Sequence, residues 1–288
     1  MVVYKEYDKQ TLDRLHEVEL SILRDFKKIT EENGLSFFIS GGTAIGALRH
    51  GGFIPWDDDI DVCLPRGDYD RLIEILEADP VMMEKYEIIR ADRTENYPLM
   101  STRLRKRGTK FKEWPFKKVK CDLGIFLDIF PYDHTVEDPV LRRKQIRQAW
   151  FWSKMYILRH IANPVLPFKG VKGAFVTAFC ACVHAFLVVT RFSKPYMLKK
   201  YQEAATRYND EETGWYIDFQ YTFPEKMLLR KEDIFPLRKV MFEDVEVTTL
   251  HEIDRYLTGQ YGDYMQMPPP EKRKNHYPYE LDFGDGNE

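Results

Sequence analysis

The chain has few cysteines, no internal repeat, and no large excess of one charge. Its four cysteines, Cys63, Cys121, Cys180 and Cys182, lack the paired spacing of a zinc site, and all four sit in apolar runs that read as buried thiols. No disulfide framework is expected, which suits a reducing compartment. The opening residues, Met1-Val2-Val3-Tyr4-Lys5-Glu6, hold no apolar signal core, so a cytoplasmic location is expected. The formal net charge of −3 says little about partners by itself, and no nucleic-acid partner is expected. Acids are missing from one long stretch: residues 139–202 carry 12 Lys or Arg and no Asp or Glu. Inside it, residues 173–190 have no charged side chain at all. That length is at the lower edge for a membrane span. His184 and Thr177 interrupt it, so a buried core helix, or a helix dipping into the membrane interface with its flanking cations on lipid phosphates, is preferred over a full span. Trp150, Trp152, Tyr156, Tyr196 and Tyr201 flank the region, as at interfaces. A solvated basic helix pair is the plainer alternative.

What is present supports a sizeable core: 288 residues at 44% hydrophobic content exclude disorder for most of the chain. Apolar residues recur every three or four positions over 11–33, which predicts an amphipathic helix with Thr11 as N-cap and Gly34 as its stop. Strands are predicted over 35–40, 59–64, 86–91, 99–107 and 122–130, the last ending at Pro131. Short helices are predicted over 43–49 and from Pro65 to about residue 78. The interleaving predicts an α+β fold, a mixed sheet with flanking helices. Three parts are expected: a catalytic core over 1–138, a basic helical insertion over 139–202, and residues 203–288 completing the fold, with a disordered tail from Gly284.

The most informative stretch is Trp56-Asp57-Asp58-Asp59-Ile60-Asp61. Four carboxylates so close repel one another unless something positive sits among them. Asp59 and Asp61, two apart on a predicted strand, should project from one face. Paired carboxylates suit a hard divalent cation, Mg²⁺ or Mn²⁺, which typically also holds substrate phosphates. Upstream, Gly41-Gly42 allows close backbone approach to a phosphate, the following helix N-terminus offers free N–H groups, and Thr43 adds a hydroxyl. Together these outline a nucleotidyltransferase site of the polymerase-β type, which needs a third carboxylate from a later strand. Asp128, alone in an apolar run, is the candidate; a buried ion pair to arginine is the alternative for it, and Asp122 and Asp133 are weaker candidates. Arg103, Arg105 and Arg107 alternate on a predicted strand, where Arg103 and Arg105 suit phosphate contact or a solvated edge. Arg49 and His50 follow the glycine helix and are further phosphate candidates.

These blocks resemble the LicD/fukutin-type phosphotransferase family. The resemblance rests on residues 40–50 and 52–61, on Leu127-Asp128-Ile129-Phe130-Pro131, and on a C-terminal block that includes Tyr261-Gly262-Asp263-Tyr264-Met265 and residues 273–276. It implies Mg²⁺-dependent transfer of a phospho-alcohol, foremost phosphocholine from CDP-choline, to a hydroxyl of a cell-surface glycan, teichoic acid or lipopolysaccharide precursor, with release of CMP. Metal would sit on Asp59, Asp61 and Asp128; Gly41, Gly42, Thr43, Arg103 and Arg105 would bind phosphate. A quaternary ammonium would want an aromatic cage, for which Trp56, Trp114 and Trp215 are available. The zinc-binding cysteine cluster of some animal relatives has no counterpart. The basic middle region would hold a lipid-linked glycan at the inner membrane face, as a peripheral contact. Transfer of ribitol or glycerol phosphate, nucleotidyl transfer from a nucleoside triphosphate, and a membrane-associated polyanion-binding protein with a vestigial site are the competing readings.

Overall fold

A computed structural model describes residues 5–164, 168 and 170–284. The predicted disordered tail after Gly284 and the first four residues lie outside the described residues. In chain order the elements are α1 (Lys9–Glu32), β1 (Phe38–Ile39), α2 (Gly41–His50), β2 (Asp61–Pro65), α3 (Arg66–Ala78), α4 (Pro80–Lys85), β3 (Tyr86–Ile89), β4 (Thr102–Lys106), β5 (Lys110–Glu113) and β6 (Phe126–Thr135). Then follow α5 (Pro139–His160), α6 (Gly170–Val189), α7 (Lys194–Ala205), β7 (Trp215–Ile217), β8 (Leu229–Arg230), α8 (Lys231–Ile234), β9 (Arg238–Phe242), β10 (Val245–Thr249), α9 (Ile253–Tyr261) and β11 (Pro278–Asp282).

The α+β expectation holds. The main sheet runs β1-β2-β6-β4-β3, with β7 and β8 joined to the far end of β6. It is mixed: β2 and β6 are parallel, and the other pairs are antiparallel. The long helix α1 starts at Asp8, whose carboxylate accepts the Thr11 N–H, and stops at Gly34, which takes φ +62. It buries Leu15, Ile22, Leu23, Phe26 and Ile29 against the sheet side of the core. The first strand is shorter than predicted because Leu35 N–H is spent on the Thr30 carbonyl, ending the helix. Pro65 closes β2 rather than opening the helix.

One prediction fails instructively. β6 does not stop at Pro131 but runs on to Thr135. Asp128 N–H donates to Ile60 on the β2 side, so by strand alternation the nitrogen of residue 131 faces the other edge. There β4 pairs only as far as Ile129, and β7 begins at Asp133. Pro131 sits in the gap and costs no ladder bond.

The predicted basic helical region is α5, α6 and α7. The core-helix reading of 173–190 does not hold: only Gly173, Cys180 and Leu187 of α6 are buried. With partly buried Val176 and Val183 they form a 3-4-3-4 seam, while Val171, Phe175, Phe179, Phe186 and Val189 are exposed. Cys182, read as buried, is exposed as well.

Candidate functional site

The sheet lays three charged residues in a row. Asp61 on β2 lies opposite Asp128 on β6, and Asp128 lies opposite Arg103 on β4. Directly opposed residues share a face, so the acids predicted to meet are next-door neighbours. Arg103 Nε donates to Asp128 Oδ1 at 3.2 Å, and its terminal nitrogens donate to both oxygens of Glu113 at 2.9 and 3.0 Å. The guanidinium lies 3.7 Å from the Phe126 ring centroid. Arg103, Glu113 and Asp128 are all buried, so this arginine is committed to two carboxylates rather than open to phosphate. Arg105 is likewise committed, to Glu87 and, at 2.9 Å, to Asp122. Arg107 donates to the carbonyls of Met83 and Tyr86. Of the weaker acid candidates, Asp122 is held by Arg105, and Asp133 is held by Arg66 at the other end of β6.

The diglycine corner is fastened to this row. Ser40 N–H donates to the Asp61 carbonyl at 3.2 Å, and Asp61 N–H donates to the Thr43 hydroxyl at 2.9 Å. Gly41 takes φ +55 to open α2, and a Cβ there would stand 2.9 Å from Asp61 Oδ2. A Cβ on Gly42 would meet the Asp57 carboxylate. The room left by the two missing side chains is filled by acid oxygens. Arg49 and His50, at the other end of α2, hydrogen-bond to each other, and Arg49 donates to the Tyr264 carbonyl.

Asp59 precedes β2 instead of lying on it. Its Oδ2 lies 3.2 Å from His276 Nδ1, which is also 3.4 Å from Asp58 Oδ1. Asp58 is fully buried and structural: it accepts the Tyr7 hydroxyl at 2.7 Å and the His276 N–H at 2.7 Å. Asp58, Asp59 and His276 are, among the described residues, the set whose ligand-type atoms all lie within 4.8 Å of one another. Asp61 and Asp128 stand beside that set but outside it. The positive group that the acidic run requires is therefore His276, delivered from the far end of the chain.

Electrostatics agree with this. Burial, then the neighbouring acids, hold the Asp57 and Asp61 carboxyls well above the usual range; Asp59 acts on both, and Asp128 adds to the effect at Asp61. Burial raises Asp128 to about 6 against the pull of Arg103. At Asp59 burial also pushes up, but His276 and Arg103 outweigh it and leave the group below its ordinary value. Burial would lower His276, yet Asp59 and Asp58 hold it well above an ordinary imidazole. Glu19 on α1, 1% exposed, is raised well above its ordinary value by burial and then by Asp59, Asp58 and Asp57. The site concentrates more negative charge than its own cations neutralise. Hard oxygen donors of this kind fit Mg²⁺ or Mn²⁺.

Sequence reasoning missed the parts played by His276, Glu19 and Glu113. Glu19 left a trace, since it is an acid on the apolar stripe between Leu15 and Ile22. His276 falls in the block 273–276 on which the resemblance partly rests, but nothing local gives it a role there, and Glu113 left no trace, because both roles depend on long-range packing. Of the tryptophans, Trp56 is nearly buried with Arg273 over its ring at 4.3 Å, Trp215 lies beside Arg142 and Arg230, and Trp114 is exposed. Trp114 edges a cavity of about 500 Å³ that opens beside the acids. Asp128 and His276 belong to both the acid cluster and this cavity, and Ser153 and Lys154 of α5 line it as well.

Residues 34–172 match the family model described as "LicD/FKTN/FKRP, nucleotidyltransferase domain". Over 279 residues the chain is 29% identical to the lipopolysaccharide cholinephosphotransferase LicD of Haemophilus influenzae, covering 93% of this chain and 97% of that protein. Shorter likenesses are to an uncharacterized protein of Rickettsia prowazekii, 36% identical over 55 residues, 19% of this chain and 21% of that one. A mannosyltransferase regulator of Saccharomyces cerevisiae is 42% identical over 45 residues, 16% of this chain and 4% of its own length.

Proposed function

We propose that this chain, which carries the LicD family domain over residues 34–172, transfers a phospho-alcohol, most simply phosphocholine, from a CDP-alcohol to a hydroxyl of a glycan. A lipopolysaccharide or teichoic acid precursor is the proposed acceptor. The observation that carries the reading is the near end-to-end likeness to a lipopolysaccharide cholinephosphotransferase, 93% of this chain against 97% of that protein. The acid row beside the diglycine corner supports it. We take the core to be of the polymerase-β nucleotidyltransferase type.

Asp59, Asp61 and Asp128 would hold Mg²⁺ or Mn²⁺, which when bound supplies Lewis-acid polarisation of phosphoryl oxygens and neutralises charge on the leaving nucleotide. The acceptor oxygen attacks the phosphorus that bears the alcohol, a P–O bond forms, and the P–O bond to CMP breaks. Asp128, which lines the cavity, completes that metal set or takes the proton of the acceptor hydroxyl. Gly41 and Gly42, expected to bind phosphate, instead let the Asp61 and Asp57 carboxylates close against the start of α2, and their part in the proposed site is to seat these acids. Thr43 serves the site by fixing the start of β2 through the Asp61 N–H. His276 and the Arg103–Glu113 pair hold Asp59 and Asp128 in place. Positioning and charge compensation supply most of the acceleration in such transfers.

The test is a panel of CDP-choline, CDP-ribitol, CDP-glycerol and ATP with Mg²⁺, scored by the nucleotide released. CMP from CDP-choline is the expected result. AMP from ATP, or no CMP from any CDP-alcohol, overturns the reading.

The acceptor's membrane would be met by α6, the described helix that is long and apolar enough to cross a bilayer, although only 17% of its apolar window is buried in the protein. We place it in the interface plane at the cytoplasmic face, its phenylalanine side toward acyl chains and the cations of residues 139–202 toward lipid phosphates. Co-sedimentation with anionic vesicles should be lost when Phe175, Phe179 and Phe186 are all changed to Ser. Unchanged sedimentation of that variant overturns the placement.

A further inference from the structure

Arg103, which faces Asp128 across the sheet, and Arg105, two residues on along β4, are taken by carboxylates, so a phosphate entering the cavity must find its cation elsewhere. The cavity of about 500 Å³ has two unlike walls. One carries Asp128, His276 and the closed Arg103–Glu113 pair; the other is a turn of α5 that carries Ser153, Lys154 and Ile157. Ser153 is not available as a donor, since its hydroxyl already gives to the Trp150 carbonyl at 2.9 Å. Lys154 is different. Half-buried in the wall, it makes no hydrogen bond or ion pair to any described residue; its Nζ lies 5.9 Å from the centroid of the Trp150 ring. Burial alone lowers its ammonium, with no acid acting to restore it. A lysine partly withdrawn from water and left without a carboxylate costs free energy unless a ligand supplies the missing charge. The aromatic groups Trp114, Phe116 and Phe130 make up much of the remaining lining, so the cavity also offers faces for a base or an alcohol.

We propose that Lys154 is the phosphate-contacting cation of this site, and that the α5 face of the cavity receives the diphosphate of the nucleotide donor. This gives the basic middle region a second task besides membrane contact: one of its lysines completes a site whose acids come from β2 and β6. The inference rests on the reading of this site as one that handles a nucleoside diphosphate, though not on which alcohol the donor carries.

Binding decides the matter, measured by calorimetry with CDP, inorganic pyrophosphate and cytidine in the presence of Mg²⁺. Lys154→Met should weaken CDP and pyrophosphate by about tenfold or more, as expected for a lost charge-assisted contact, and leave cytidine unchanged. Lys154→Arg should keep both within about threefold. The ligand-free melting temperature of Lys154→Met should hold or rise, because an unpaired, half-buried ammonium is gone, while the stabilisation that CDP adds should shrink. CDP affinity equal to wild type in Lys154→Met overturns the proposal. So does a lowered ligand-free melting temperature with the CDP increment intact, which marks a structural lysine. Wild-type protein that binds neither CDP nor pyrophosphate overturns it too. If CDP binding depends on Lys154 but no CDP-alcohol is turned over, the transfer reading fails and this assignment stands.

Discussion

Asp128 and Asp133 lie five residues apart on β6, both buried and both paired with an arginine, yet the two ends of the strand are built on opposite principles. At Asp133 the account closes: Arg66 donates to both oxygens at 2.7 and 3.0 Å, and Asn209 adds a third hydrogen bond at 2.8 Å. At Asp128 it stays open. Arg103 is shared with Glu113, and Asp61 stands alongside with Asp57 and Asp59 near it. A fold that only needed stability would repeat the first arrangement. The second tolerates repulsion that a bound cation would relieve.

The largest expected effect breaks this contrast from the open end. Asp61→Asn should cut turnover of a CDP-alcohol by at least about 10³-fold, the several kcal/mol that a disabled metal site is worth. Its melting temperature should hold or rise, because burial and the neighbouring acids already oppose the charge. A variant that loses both activity and fold would show that Asp61 is structural. At the closed end the signs reverse. Asp133→Asn should lose about 2–3 kcal/mol in a denaturant titration, the low side of what breaking a buried pair costs, because Arg66 is 19% exposed and recovers some solvation.

How much of this contrast was legible beforehand depends on distance along the chain. The glycine corner, the acidic run and Asp128 were readable because each is a local pattern that elementary strand and turn chemistry interprets. Asp61 and Asp128 do lie side by side on paired strands, whereas Asp59, expected on the same strand as Asp61, precedes β2 and sits beside His276. The commitment of Arg103 to Glu113 was not readable, because Glu113 lies in a short edge segment that β11 pairs with from the C-terminus. The partnership of His276 with Asp59 was unreadable for the same reason, since the closing of the whole fold brings the two together. The run of β6 past Pro131 was misjudged because a proline is harmless only where the neighbouring strands leave a gap, and gaps belong to the sheet rather than to the strand.

A pH experiment sharpens the comparison at intermediate size. Asp218 sits beside the Arg66–Asp133 pair, and burial raises it from 3.8 to about 7. A carboxyl raised on folding binds its proton more tightly in the native state. Its contribution is therefore whole below about pH 4, fades as pH rises through about 7, and is gone above it. That rise corresponds to at most about 4 kcal/mol. Asp218→Asn should match the wild type near pH 4 and be the more stable protein at pH 8, with the Asn oxygen keeping the Gln220 N–H. Equal pH profiles would mean that the Arg66–Asp133 end is as well compensated at Asp218 as at Asp133.

The smallest effect is expected at Asp122, and it separates a pair that merely exists from one that does something. Asp122 bonds to Arg105 at 2.9 Å, a distance as short as the Arg103–Glu113 contact, but its side chain is 76% exposed. In water the attraction is screened, and the entropy of holding two long side chains offsets much of what remains. Arg105 also retains Glu87 as a partner. Asp122→Ala should therefore cost under about 1 kcal/mol in denaturation and leave CMP release unchanged, whereas Glu113→Gln, which strips the sealed partner from Arg103, should slow release by displacing Asp128. Similar outcomes for the two variants would mean that burial of the Arg103 pair has no part in holding the acid row.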